Sequence, residues 1–176
     1  MNDRSKGLAA FLKTPSHQAA ATGSHGKDEP GEEGLGEEES CPAFGYLRGN
    51  RDRALAVEFR YRDGNREWFP YSCLGPWRFD PSVGLLLKFT GDVVTLVLIR
   101  GSNLDALVGQ GTVNLTDRGL QRHRILWVRE MDEQELRRAG KGEPTLDRIE
   151  VAEFESQEEI REWLKKVAPA FVRKPG

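Results

Sequence analysis

Between Val57 and Gly101 the chain alternates apolar and polar residues in short runs, and the breaks fall at Asp63-Gly64-Asn65, Asp80-Pro81-Ser82 and Thr90-Gly91-Asp92. A side-chain period of two puts successive residues on opposite faces of an extended strand. Gly, Pro, Asp and Asn at the breaks supply the backbone angles and local hydrogen bonds of tight reversals. The pattern specifies an antiparallel β-meander. In its first run Leu55, Val57, Phe59 and Tyr61 share one face, while Glu58, Arg60 and Arg62 take the other. Pro70 has no ladder donor, so the strand from Arg66 to Tyr71 is expected at a sheet edge, or to end there.

The run Val93 to Ile99 is apolar on both faces except at Thr95. Such a strand sits inside a sheet and needs cover on both sides. The C-terminal segment provides the cover: Ser156 and Glu159 form a capping box, Ile160, Trp163, Leu164 and Val167 make a helical apolar stripe, and Pro169 closes it. A shorter helix is expected to start at Ser102, with Leu104, Leu107 and Val108 as its stripe and Gly109 and Gly111 as its stop. Further strands are expected over Arg124 to Met131 and Leu146 to Phe154, with a polar helix over Asp132 to Arg138 between them. The fold class is α+β: an antiparallel β-meander sheet or small barrel covered by a C-terminal amphipathic helix.

Composition divides the chain. Residues 1–40 hold four basic against eight acidic side chains and few large apolar ones, which leaves 22 basic against 20 acidic for residues 41–176. A segment so poor in apolar surface cannot offset the entropy of ordering its backbone. Residues 1–40 therefore read as a disordered acidic tail and residues 41–176 as one domain. Arg4 and Lys6 precede Leu8 to Leu12, an apolar run too short for a secretory signal, and no stretch approaches the length of a membrane span. The expectation is a cytoplasmic protein with no membrane partner. Of the two cysteines, Cys73 reads as a half-buried core residue and Cys41 as an exposed thiol.

Reaction chemistry finds little support. His17 and His25 lie in the tail, which leaves His123, in a basic run between Arg122 and Arg124, as the single histidine available to a fixed constellation. Gly101 and the Gly109 to Gly111 segment lack the spacing and Lys-Ser/Thr ending of a phosphate loop. Asp80, Asp92, Asp105 and Asp117 all fall at turns or helix starts, where Asp serves local hydrogen bonding. The sequence points away from an enzyme, and no cofactor or metal is expected.

The strongest functional lead is an Arg and aromatic surface. Arg60, Arg62, Arg66, Arg122 and Arg124 are the candidate anion-binding residues, running beside Phe59, Tyr61, Trp68, Phe69, Tyr71 and Trp77. Guanidiniums that hold phosphates and rings that stack bases suit single-stranded nucleic acid. Against that, Phe59 and Tyr61 alternate with Arg60 and Arg62, which sends rings and charges to opposite sides. A body carrying a net charge of only +2 is also weak bait for a polyanion. The leading expectation is a non-enzymatic module that binds a protein partner through a sheet edge or the Arg-rich face. Nucleic-acid binding is the alternative and is not favoured.

Overall fold

The computed structural model describes residues 36–49 and 51–172. Among these residues nine strands form two sheets. The first sheet holds β1 (Glu38–Ser40), β2 (Phe44–Leu47), β3 (Ala56–Arg60), β4 (Arg66–Pro70) and β8 (Ile125–Arg129), in the order β1-β2-β8-β3-β4. The second holds β5 (Arg78–Asp80), β6 (Gly84–Thr90), β7 (Val94–Ser102) and β9 (Thr145–Phe154), in sequence order. All neighbours are antiparallel except β3 and β8, which run parallel. The architecture is α+β, largely antiparallel, as the alternation demands, but split into two sheets.

Alternation in β6 and β7 explains the layering. Leu85, Leu87, Phe89, Val97 and Ile99 face inward and pack with Phe44, Val57, Phe59, Ile125 and Val128 of the first sheet in one core. Leu86, Leu96 and Leu98 face outward into a second core, with Leu164, Ala168 and Phe171 laid over them. The helix that delivers Leu164 is α2 (Gln157–Val167), capped by the expected Ser156 and Glu159 box. Two arginines fasten its far end and the 3-10 turn that follows, Pro169–Phe171: Arg100 Nη2 donates to the Val167 carbonyl (2.6 Å) and Arg78 Nη1 to that of Phe171 (2.6 Å). Cations at the carbonyl end of a helix satisfy acceptors the helix cannot. The short α1 (Glu133–Arg138) begins at a capping box of Asp132 and Glu135.

The meander turns form where expected. Gly64 takes φ +91° in the Asp63 to Asn65 reversal, and Asp80 accepts from the Ser82 amide and hydroxyl. Three sequence expectations need correction. The helix predicted from Ser102 is absent: β7 runs on through Ser102, which pairs with Thr145, and Asn103 follows at φ 54°. Leu104, its intended stripe residue, is buried in the main core. Strand pairing captured a segment whose local helical signal was only one turn deep. The tail boundary also moves. The disordered tail expected over residues 1–40 lies outside the described residues up to residue 35, but Glu38–Ser40 is β1 and pairs with β2. Finally, Cys41 is half-buried against the core, and burial pushes its thiol pKa up, whereas Cys73 is half-buried as expected.

Candidate interaction surface

The first sheet carries side chains on both faces. Helix α2 packs on the second sheet and not on this one, and α1 reaches the outer face through Glu135, which pairs with Arg129. The register sets what lies there. Glu58 on β3 stands opposite Trp68 on β4 and opposite Trp127 on β8, and one step on, Arg60 stands opposite Arg66 and Arg129. Two indoles and three guanidiniums therefore share a face. This corrects the expectation that rings and charges separate. It holds for Phe59, which is buried, but Trp68 and Trp127 sit on the charged side.

Glu58 organises this face. It is 7 % exposed, takes Arg60 Nη2 at 2.6 Å on one oxygen and Arg66 Nη1 at 3.2 Å on the other. One carboxylate between two guanidiniums leaves a local positive charge. Of the acidic residues in β3, β4 and the turn between them, Glu58 alone pairs with these guanidiniums: Asp63 bonds Asn65 within its turn, and Glu67 accepts from Tyr61. Arg60 also lies 4.5 Å from the centre of the Trp127 ring, a cation–π geometry. Trp127 in turn donates its Nε1 hydrogen to Glu38 (2.8 Å).

That indole has room because position 45 lacks a side chain. A Cβ added at Gly45 would stand 2.2 Å from Trp127 Nε1. Gly45→Ala is expected to tip the indole off the sheet, break its bond to Glu38 and cost about 1–2 kcal/mol, as overpacking does. Hydrogen exchange at the Trp127 indole N–H reports this directly. Unchanged protection in the variant would contradict the arrangement.

The candidate arginines do not form one site. Arg60 and Arg66 meet on Glu58. Arg62 follows β3, its Nη2 donating to the Asp147 carbonyl (2.5 Å), beside a polar notch of about 220 Å³ that Arg129, Glu130 and Glu135 also line. The carboxylates of that notch are occupied: Glu130 accepts from the Arg62 and Ile149 amides, and Glu135 from Arg129, which holds its pKa below the usual range. Arg122 is exposed at the opposite end of β8, its carbonyl accepting from Arg53 Nη1. Arg124 is 1 % exposed and belongs to the interior. His123 adopts φ 53° and stacks on Tyr71 at 4.4 Å between ring centres. Among the described residues, no three His, Cys, Asp or Glu side chains are grouped to hold a metal ion.

Of the two indoles, sequence reasoning names Trp68 among the rings of this surface and leaves out Trp127. Trp68 was within reach, because Arg66, Trp68 and Pro70 alternate onto one face and the Asp63 turn fixes their register with β3. Trp127 was not, since its place depends on pairing across a long sequence interval.

β4 also forms an edge of the first sheet. Beyond the two ends of its ladder with β3, the Tyr61 amide donates to Asn65 and the Tyr71 amide to Leu55. By the alternation of antiparallel pairs, the backbone N–H and C=O groups of Arg66 and Trp68 point away from β3, out of the sheet. Trp68 is 61 % exposed at the middle of this edge.

Fold and surface together define a two-sheet α+β domain in which, among the described residues, β4 is an edge strand and Trp68 on it is largely exposed. No protein-family model matches the chain, and neither does any curated protein or solved structure. No helix among the described residues is long and apolar enough to cross a membrane.

Proposed function

We propose that this chain is a non-enzymatic partner-binding module that takes an extended peptide segment of another protein along β4. The observation that carries the reading is Trp68, a large indole left 61 % exposed on an edge strand, flanked by Arg66 and Pro70. An added strand gains main-chain hydrogen bonds from the edge and specificity from alternate side chains. Arg66 and Trp68 offer that edge, and Pro70, with no donor, limits it to a short stretch. Exposed aromatic and Arg side chains are the types that carry most binding energy at interfaces. The spare positive charge around Glu58 favours a segment with an acidic residue next to its apolar anchor.

The test uses the full chain immobilised as bait, in wild-type form, as a Trp68→Ala, Arg66→Glu double variant, and as a Lys141→Glu control in the exposed turn between α1 and β9. A partner held by wild type and control, and weakened about tenfold or more by the double variant, is the expected result; losing a buried aromatic anchor costs about 2 kcal/mol or more. Identical retention by all three baits contradicts the proposal.

The nucleic-acid alternative gains from Trp68 and Trp127 sharing the Arg face, but the guanidiniums of Arg60, Arg66 and Arg129 already engage Glu58 and Glu135. Affinity for oligonucleotides that falls steeply with salt and disappears on changing Arg60, Arg62 and Arg66 together to Ala would replace the protein-partner reading.

A further inference from the structure

On the other side of the molecule, α2 does not close fully over the second sheet. A groove of about 580 Å³ remains between the first turns of the helix and strands β5 to β7. Leu86 and Leu96 floor it, and Ile160, Leu164 and Phe171 wall it. That size falls within the range of pockets that enclose a small molecule.

Its charged residues set this groove apart from a packing gap. Arg78 from β5, Lys88 from β6 and Arg161 from α2 all line it, against a single carboxylate, Glu158. Lys88 is the telling residue. It sits on an inner strand opposite Leu96, half-buried, on the same outward face as Leu86. Among the described residues neither Lys88 nor Arg161 forms an ion pair. An ammonium partly withdrawn from water on an apolar floor is stabilised by an anion brought to it. The chain's own next residues are poor candidates for that role: Val172 lines the groove, and the sequence continues with Arg173 and Lys174, which repeat the charge already there.

We propose that the groove under α2 binds a small amphipathic anion, a carboxylate with an aliphatic tail of the fatty-acid class. The carboxylate sits between Lys88 and Arg161, and the tail lies on Leu86 and Leu96 beneath Ile160. The concavity is sized for one such molecule, and its floor is apolar where a free inorganic anion would need further donors. This site shares no residue with the β4 surface and stands whether or not that surface binds a peptide.

Calorimetric titration of the full chain with dodecanoate, below its micelle concentration, tests the site against 1-dodecanol and dodecyltrimethylammonium, which carry the same tail. Dodecanoate is expected to bind saturably and at least about tenfold more tightly than either comparator, a difference of about 1.4 kcal/mol. Methyl NMR shifts are expected at Ile160, Leu164 and Leu96. The Lys88→Gln, Arg161→Gln double variant removes one half-buried and one exposed charge, neither ion-paired among the described residues, so its thermal melt should stay close to wild type while dodecanoate affinity falls about tenfold or more. Equal binding of the trimethylammonium compound, undiminished binding by the double variant, or shifts centred on Trp68 each overturn the proposal. So does a glutamate-rich peptide that occupies the groove where dodecanoate does not.

Discussion

Phe59→Ala is expected to destabilise the protein by about 4 kcal/mol, the usual loss for truncating a fully buried Phe. For a chain of this size that lowers Tm by about 12 °C. The side chain is 0 % exposed and meets two other rings edge-on, Phe69 at 5.6 Å and Phe89 at 6.3 Å between centres. Phe69 and Phe89 are themselves 4.7 Å apart. Phe59 and Phe69 belong to the first sheet and Phe89 to the second, so the trio is a direct join between the layers. Alanine would leave a void lined by aromatic carbon that neither sheet can collapse into without breaking strand register. Phe59→Leu refills most of the volume and is expected to cost about 1.5 kcal/mol. Chemical denaturation decides the matter: the midpoint should fall with an unchanged slope, because the surface exposed on unfolding is the same. A loss below about 1 kcal/mol for alanine would mean that the sheets are held elsewhere.

The same residue shows what the sequence makes legible. Phe59 inside and Arg60 outside follow from a period of two, and the Asp63 turn brings Arg66 opposite Arg60. The β3 and β4 pair, the two-sided character of β7 and the α2 stripe all rest on contacts among near neighbours, which local pattern encodes. The division into two sheets does not. It depends on β8 lying parallel to β3, with Glu58 beside Trp127, a pairing between segments nearly seventy residues apart that no local signal announces.

The acidic run at residues 37–39 shows the same limit from the other side. As composition it reads as solvated tail. In the fold each carboxylate has a partner, two on the adjoining β2 segment and one far along the chain: Glu37 takes Arg48, Glu39 takes the Tyr46 hydroxyl and Glu38 takes the Trp127 indole. Burial, followed by that Glu39 bond, pushes the Tyr46 pKa up to about 12, so the phenol donates to the carboxylate across the physiological range. Charge density alone cannot separate a free tail from an edge strand whose partners arrive from elsewhere in the chain.

Arg124 carries the other large effect, and it is the candidate residue whose role changes most. Its place in the Arg122 to Arg124 basic run suggested an anion contact, yet it is the largest side chain under 2 % exposed. Its Nε donates to the Leu47 carbonyl at 2.9 Å and its Nη2 to the Arg48 carbonyl at 2.7 Å, while its own carbonyl accepts from the Leu47 amide. The guanidinium thus takes up acceptors where β2 ends, beside β8. Burial, then repulsion from Arg122, lowers its pKa, but arginine keeps its proton at any working pH.

Arg124→Met retains the apolar stem and removes the donors, leaving the buried Leu47 carbonyl and the part-buried Arg48 carbonyl without them. Each bond from a charged donor is worth about 1.5–3 kcal/mol, so the expected loss is about 3 kcal/mol and about 10 °C in Tm. Arg124→Lys keeps the charge on a single nitrogen that cannot span both carbonyls and should lose about half as much. The damage should be local as well as global. Amide exchange at Tyr46 and Leu47 is expected to accelerate in the Met variant more than exchange in β6 and β7, because β1 and β2 form the outer part of the first sheet and lose their tether to β8. A Met variant as stable as wild type would show that apolar packing replaces this buried cation without loss, as happens at some buried ion pairs, and would remove Arg124 from the account of how β2 is held.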